Sequence, residues 1–438
     1  MHPESDERRL RVPGDKSITH RALILGALAT GQSLIRRPLV GADTRSTAAA
    51  LRALGVDIPE LGQEVRISGA GLHGLRPSPD VIDCGNSGTT VRLLMGVLAG
   101  SAFDTTLTGD ASLRSRPMRR VTVPLELMGA TFHELEREDR LPVRMHGGAL
   151  RPLRYDSPQS SAQVKSAILL AGLTGSADVT VVEPLLSRDH TERMLSRIGV
   201  PLRVGHDRSG RPDVTLSPVA HLEAFEMDVP GDLSSAAFIV AHTLLAGRGR
   251  VRIVDVGLNP TRIGFVTVMQ RMGGRLNIEN ARESCGEPLG DLVVERSELT
   301  ATRIAAEEIP SLVDEVPVIA VLAAHADGTT VIEGAGELRV KESDRIRAVV
   351  DNLTAIGALA EERPEGMVIH GGARAADATG STLSGVVRVH DDHRIAMAFG
   401  VLSAATGGAV RVDDPDAVGV SFPGFWDALA DTDARGDQ

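Results

Sequence analysis

The segment Val12-Pro13-Gly14-Asp15-Lys16-Ser17 returns as Val229-Pro230-Gly231-Asp232-Leu233-Ser234, displaced by 217 in a chain of 438 residues. Gly31 and Gly247, Gly41 and Gly257, Thr44-Arg45 and Thr261-Arg262, and Leu54-Gly55 and Met272-Gly273 keep offsets of 216 to 218. A register held that long marks a duplicated half, so the chain must fold as two similar bodies. The copies differ where function is at stake. Lys16 and Arg21 stand where the second copy has Leu233 and Phe238, so only the first can grip an anion. The neutral copy, Gly231 to Ser235, is expected to return the chain and to serve the fold alone.

A shorter repeat lies inside each half. Helix-like segments run into a glycine at Leu54-Gly55-Val56, Met128-Gly129-Ala130, Ile198-Gly199-Val200, Met272-Gly273-Gly274 and Ile356-Gly357-Ala358. Glycine there suits a left-handed helix C-cap, and the residues that follow alternate as a strand does. The pattern predicts six units of roughly 70 residues, three per half. Phe425–Leu429 reads as a helix of the sixth, cut short by the C-terminus. The two VPGD segments mark crossovers near residues 12–15 and 229–232, so the N-terminal strand should pair with the second half. The fold class is α/β (α+β) with two similar domains. Residues 1–14 plus 231–438 form a discontinuous one, and residues 15–230 form the other.

Composition narrows the function classes. Net charge −11 argues against nucleic acid and anionic membranes as bulk partners, and eight Phe, one Tyr and one Trp offer no platform for stacking bases. Cys84 and Cys285 cannot make a disulfide framework, which suits a reducing compartment. The start MHPESDERRL has no apolar core, so it does not read as a signal peptide. The apolar stretches around Ala236–Gly247 and Val316–Ala326 fall short of a membrane span. A cytoplasmic protein is expected.

Local chemistry then points to anions in one half and acids in the other. Gly14 to Arg21 places Asp15 or Ser17 at a helix start beside Lys16 and Arg21, a favourable anion site, but without the upstream glycine of a Walker loop. Asp83-Cys84-Gly85-Asn86-Ser87-Gly88-Thr89-Thr90 is a second glycine-rich turn feeding a helix. Arg114, Arg116, Arg119 and Arg120 follow, and then Ser160-Ser161-Ala162-Gln163-Val164-Lys165. In the second half Leu312-Val313-Asp314-Glu315, Val340-Lys341-Glu342-Ser343-Asp344-Arg345 and Asp391-Asp392-His393-Arg394 concentrate carboxylates. His390, Asp391 and His393 hint at a metal. Adjacent strand residues point to opposite faces, however, and no helical i, i+4 His pair is present, so no metal is expected.

Taken together, GDKSxxxR, GNSGTTxR, SRPM, SAQxK, RDHTE, VDE, KESDR and DDHR occur in the order that resembles the 5-enolpyruvylshikimate-3-phosphate synthase family, from residue 12 to about 425. The resemblance implies two domains of three βαβαββ units, an inverse α/β barrel each, joined by a double crossover with the active site in the cleft between. It implies transfer of the enolpyruvyl group of phosphoenolpyruvate to the 5-hydroxyl of shikimate 3-phosphate, with release of phosphate and neither metal nor organic cofactor. Lys16, Asp314 and Glu342 become the catalytic candidates. Lys16, Ser17, Arg21, Ser161, Ala162, Gln163, Arg188, Asp314 and Lys341 would bind shikimate 3-phosphate. Lys16, Asn86, Gly88, Arg116, Gln163, Arg345, His393 and Arg394 would bind phosphoenolpyruvate. A monomer is expected, its site completed when the domains close.

Two departures accompany the match. Ser421-Phe422-Pro423 is preceded by Val420, where some members have a lysine. GDKS, SAQVK, RDHTE and Asn259–Arg262 resemble the subclass less sensitive to glyphosate, whereas Gly88 is the small residue of the sensitive one. Among rivals, UDP-N-acetylglucosamine enolpyruvyl transferases resemble Lys-Asn at the Lys16-Ser17 position and have a reactive cysteine before their Arg-Pro. Gly109–Pro117 contains no cysteine. An RNA-processing protein on the same repeat is opposed by the charge and the scarce aromatics. A non-catalytic scaffold leaves the gathered charges unexplained.

Overall fold

The five glycines that end helices all take positive φ: Gly55 88°, Gly129 120°, Gly199 87°, Gly273 88° and Gly357 94°. A side chain would strain this left-handed turn, so glycine is what lets each helix reverse into the next strand. The architecture is that of a computed structural model describing residues 7–246, 249–372 and 383–433. Gly247, the register partner of Gly31, lies outside the described residues, as do residues 1–6.

The chain divides into two compact units. The N-unit is Gly14–Val229 with Glu283–Glu287, and the C-unit takes the described residues up to 13, 230–282 and from 288 onward. Each has its own apolar core. In the N-unit one repeat runs strand Ile82–Asp83, helix Gly88–Ala99, strand Asp104–Thr108, helix Arg119–Met128 and strands Thr131–Glu134 and Val143–His146. A second runs Leu153–Asp156, Ala162–Thr174, Val179–Val182, His190–Arg197, Leu202–His206 and Pro212–Leu216. In the third, helices Lys16–Leu28 and Ala42–Ala53 alternate with strands Thr30–Arg36 and Glu64–Ala70. Its edge strand, Glu226–Asp228, arrives from the far end of the unit to pair in parallel with Thr30–Arg36.

The C-unit repeats this scheme. Strand Glu7–Leu10 pairs in parallel with Arg250–Gly257, Glu7 opposite Arg250, and so supplies the first strand of the repeat built on helices Leu233–Ala246 and Gly264–Arg271. The next repeat carries helices Val316–Ala323 and Arg345–Ala355 in a four-stranded sheet. The last has strand Gly385–Val387, helix His393–Ala405, strand Val410–Val412 and helix Phe425–Asp433, where its described part ends.

The first helix of every repeat is buried almost all round, which explains its lack of a polar face. Close packing requires small residues. A Cβ on Gly96 would strike the carbonyl of Ala167, so helices Gly88–Ala99 and Ala162–Thr174 meet backbone to backbone. The second helices, such as Ala42–Ala53 and His190–Arg197, carry buried and exposed faces. No described helix is long and apolar enough to cross a membrane.

Candidate active site

A buried helix leaves its first amides without helical partners, so its start must be capped or offered to a ligand. In the N-unit, Asp15 accepts from Ile18 N–H at 2.9 Å, Ser87 Oγ from Thr90 N–H at 3.1 Å, and Ser161 Oγ from Val164 N–H at 3.5 Å. Side chains lace these three starts together. His20 Nδ1 lies 2.7 Å from Thr47 Oγ1, which lies 2.6 Å from Thr90 Oγ1, itself 2.6 Å from Ser87 Oγ. Gln163 donates to Thr89 Oγ1 at 2.9 Å and accepts from Arg92 Nη1 at 2.7 Å. Arg21 donates to Thr191 Oγ1 at 2.6 Å, Ser166 Oγ at 2.8 Å and the Ser17 carbonyl at 2.9 Å.

Burial lowers the His20 pKa to about 3, so the ring is neutral at physiological pH. Burial likewise lowers Arg21 to about 10, which leaves it charged there. Lys16 Nζ lies 3.1 Å from Asp43. Arg116 Nη2 donates to Asn86 Oδ1 at 2.7 Å, and Asn86 Nδ2 to Asp110 at 2.8 Å. A Cβ on Gly88 would stand 2.7 Å from Arg92 Nη1 and 3.4 Å from Arg116 Nη1, so glycine keeps room between two guanidinium groups. Arg114 and Arg119 instead form solvated ion pairs with Glu136 and Glu138. Ala162 opens the third helix, and half-buried Arg188 precedes helix His190–Arg197.

The C-unit puts carboxylates at the equivalent helix starts. Asp232 accepts from Ser234 N–H at 2.8 Å and Asp392 from Arg394 N–H at 2.9 Å, while Asp314 and Glu315 precede Val316–Ala323. Two arginines bind these acids. Arg262 reaches Ser234 Oγ at 2.6 Å, Asp232 at 3.4 Å and Glu315 at 3.7 Å, and Ser234 also donates to Glu315. The neutral VPGD copy thus carries part of the network that buries Arg262. Arg345 reaches Glu342 at 2.6 Å, Asp392 at 2.8 Å and Asp314 at 3.5 Å, with Arg394 at 3.9 Å from Asp314. Burial opposes the Arg345 charge, but Asp392, Glu342 and Asp314 outweigh it and raise its pKa. Burial also opposes the Asp392 charge, and Arg345 overcomes it, holding the carboxyl below the usual range.

Lys341 Nζ pairs with Glu337 at 2.7 Å, and His393 is buried as the first residue of its helix. Val420 ends the 3-10 segment Pro415–Val420. His390 and Asp391 differ from the strand reading, for both occupy a left-handed turn with φ of 55° and 56°. Among the described residues no group of three or more His, Cys, Asp or Glu side chains is arranged to hold a metal.

The motifs pointed to Lys16, Gln163, Arg116, Asp314, Glu342 and Arg345, and the units gather these into two clusters. They include Arg92, the last residue of GNSGTTxR, and Glu192, the last of RDHTE, without a role for either, and they did not point to Asp43 or Glu183, nor to the parts played by Arg262 and Asp392. One signal was readable, since Arg92 follows Gly88 by one helical turn and shares its face.

The model of the EPSP synthase (3-phosphoshikimate 1-carboxyvinyltransferase) family matches residues 4–429. The 3-phosphoshikimate 1-carboxyvinyltransferase of Gloeobacter violaceus is 48% identical over 423 residues, covering 96% of this chain and 95% of that protein. The solved structure of EPSP synthase from Acinetobacter baumannii superposes with a TM-score of 0.84 at 38% identity, covering 98% and 96%. The enolpyruvyl transferase NikO from Streptomyces tendae superposes at 0.71 with 15% identity over 96% and 94%, a likeness of fold alone. Family match, identity and fold agree along nearly the whole length: the chain belongs to the EPSP synthase family.

Proposed function

We infer that this enzyme transfers the enolpyruvyl group of phosphoenolpyruvate to the 5-hydroxyl of shikimate 3-phosphate, releasing phosphate, as a step of the shikimate pathway. The full-length family match carries the reading. The opposed chemistry of the helix starts supports it, because two substrates bearing phosphate and carboxylate need donors, and proton transfer needs acids and bases.

The residue roles are proposals. Lys16, Arg116, Arg345, Arg394, His393, Asn86, Gly88 and Gln163 take phosphoenolpyruvate. Lys16, Ser17, Arg21, Ser161, Ala162, Gln163, Arg188, Asp314 and Lys341 take shikimate 3-phosphate. Asp314 accepts the 5-hydroxyl proton as the oxygen attacks C2 of phosphoenolpyruvate, while a proton reaches the methylene carbon and makes it a methyl group. Removal of a methyl proton then restores the double bond as phosphate leaves. Lys16 suits delivery, since an ammonium carries three N–H donors. Glu342, bonded to the Arg345 guanidinium at 2.6 Å, suits the return abstraction. Lys16 and Asp314 belong to different units, so turnover requires both. We also propose that the chain acts as a monomer in the cytoplasm. Sedimentation velocity tests the first, and fractionation of the native host the second.

The test is phosphate release, with each substrate omitted in turn. Release should require both and should fall at least a hundredfold in Lys16→Ala. Release without shikimate 3-phosphate, or undiminished in the variant, would sink the assignment.

A further inference from the structure

We infer that Glu183 is a positioning residue that holds the Ser161 and Arg188 segments in register for the phosphate of shikimate 3-phosphate. The inference rests on the proposed assignment of that phosphate to Ser161 and Arg188. Glu183 directly follows strand Val179–Val182, and its side chain is 3% exposed. Its two oxygens face two different segments. Oε1 accepts the Ser161 N–H at 3.0 Å. Oε2 accepts from Lys165 Nζ at 2.8 Å, from Ser187 Oγ at 2.9 Å and from Ser187 N–H at 3.4 Å. One carboxylate thus ties the start of helix Ala162–Thr174 to the loop that leads into Arg188.

Neighbouring serines sharpen this reading. Ser160 Oγ donates to the Leu185 carbonyl at 2.6 Å and accepts from the Leu185 N–H at 2.9 Å, so its hydroxyl is spent stitching the same two segments. Among the described residues Ser161 Oγ accepts from Val164 N–H and donates to none, which leaves its O–H for an anion. Turning the Ser161 N–H inward onto Glu183 fixes the direction in which that hydroxyl can point.

The buried charge is tolerated because Lys165 answers it. Lys165 Nζ meets Glu192 at 2.8 Å as well as Glu183, and the side chains are 3%, 6% and 3% exposed respectively. Burial works against the lysine charge, but Glu192 and Glu183 prevail and keep the ammonium. Both glutamates therefore share one lysine, while Glu183 alone accepts the Ser161 N–H. That difference separates positioning from mere stability.

Glutamine at 183 has one acceptor oxygen, so its NH2 must face either the Ser161 N–H or the Lys165 ammonium, both donors. For Glu183→Gln the KM for shikimate 3-phosphate should rise about tenfold, the factor lost with one charge-assisted hydrogen bond. Its kcat and its KM for phosphoenolpyruvate should stay within about twofold. Glu192→Gln should lower the melting temperature about as much as Glu183→Gln does, since both take a charge from Lys165, yet leave the KM for shikimate 3-phosphate within about twofold. If Glu183→Gln fails to fold, Ser160→Ala cuts the other stitch and should raise the same KM roughly threefold. An unchanged KM for shikimate 3-phosphate, or an equal rise for both substrates or in both glutamate variants, would overturn the inference. A wild-type enzyme that does not bind shikimate 3-phosphate would overturn the functional reading itself, and this one with it.

Discussion

Arg21 and Phe238 occupy the same place in the two halves, 217 residues apart, and they build opposite interiors. Arg21 joins three elements of the N-unit by hydrogen bonds to Thr191, Ser166 and Ser17. Phe238 sits in the apolar core of the C-unit, edge-on to Phe425 with ring centroids 6.1 Å apart. The reverse holds at Arg45 and Arg262, again 217 apart. Arg45 makes a loose, exposed pair with Glu60 at 3.7 Å, whereas Arg262 is buried among Asp232, Ser234 and Glu315. Each half thus buries one arginine of its pair, on a different element. What repeats is the backbone device: the capping Asp15 and Asp232 and the glycine turns. What differs is the chemistry at the helix starts, mainly hydroxyl, amide and guanidinium groups in the N-unit and carboxylates bound to arginines in the C-unit.

The contrast can be broken most severely at Arg345. Arg345→Met removes the guanidinium that Asp392, Asp314 and Glu342 share, and should cost about 3–5 kcal/mol in urea denaturation. Adding Asp392→Asn should recover part of that loss. An unaltered midpoint in the single variant would show that the acids do not depend on it. Next comes the exchange that copies the C-unit into the N-unit. Arg21→Phe removes the guanidinium from Thr191 and Ser166, whose hydroxyls keep only each other and the Ala162 carbonyl, and about 2–3 kcal/mol should be lost. A variant as stable as the wild type would mean that the polar hub is dispensable to folding.

The neutral His20 gives the N-unit a pH signature of its own magnitude. Its folded pKa is about 3, against 6.5 for an unperturbed ring. The unfolded chain therefore takes up a proton that the folded one refuses, so the contribution is complete above pH 6.5 and is lost as pH falls toward 3. Between pH 7 and pH 5 this amounts to about 2 kcal/mol. Comparison of wild type with His20→Gln at both values isolates it, and equal slopes would refute the assignment. The smallest effect belongs to Arg45→Ala, whose exposed ion pair should change stability by no more than about 0.5 kcal/mol. A larger loss would erase the distinction from Arg262.

Features that depend on one residue's own backbone were readable in the sequence. The helix-ending glycines are the clearest case, because the left-handed turn demands glycine wherever it occurs. Helix starts after Gly14 and within Asp83–Thr90 were read from their turns and capping side chains, whereas the start at Ala162, capped by Ser161, was not singled out. Contacts set by packing were not. Lys16 meets Asp43 across 27 residues, Arg92 meets Gln163 across 71, and Ser234 meets Glu315 across 81. No linear motif encodes those distances. At His390 and Asp391 the polar run read as strand, and the left-handed turn that sets Asp392 as a helix cap carries no glycine to announce it.

The central claim is a division of labour in which Asp314 takes the proton while donors drawn from both units hold the anionic groups. The most direct test is turnover measured beside calorimetric binding of shikimate 3-phosphate in Asp314→Asn. Binding should stay within about fivefold of wild type while phosphate release falls about a thousandfold, the scale of a lost general base. If Asp314→Asn loses binding and turnover in equal measure, or releases phosphate at a substantial fraction of the wild-type rate, the division does not hold.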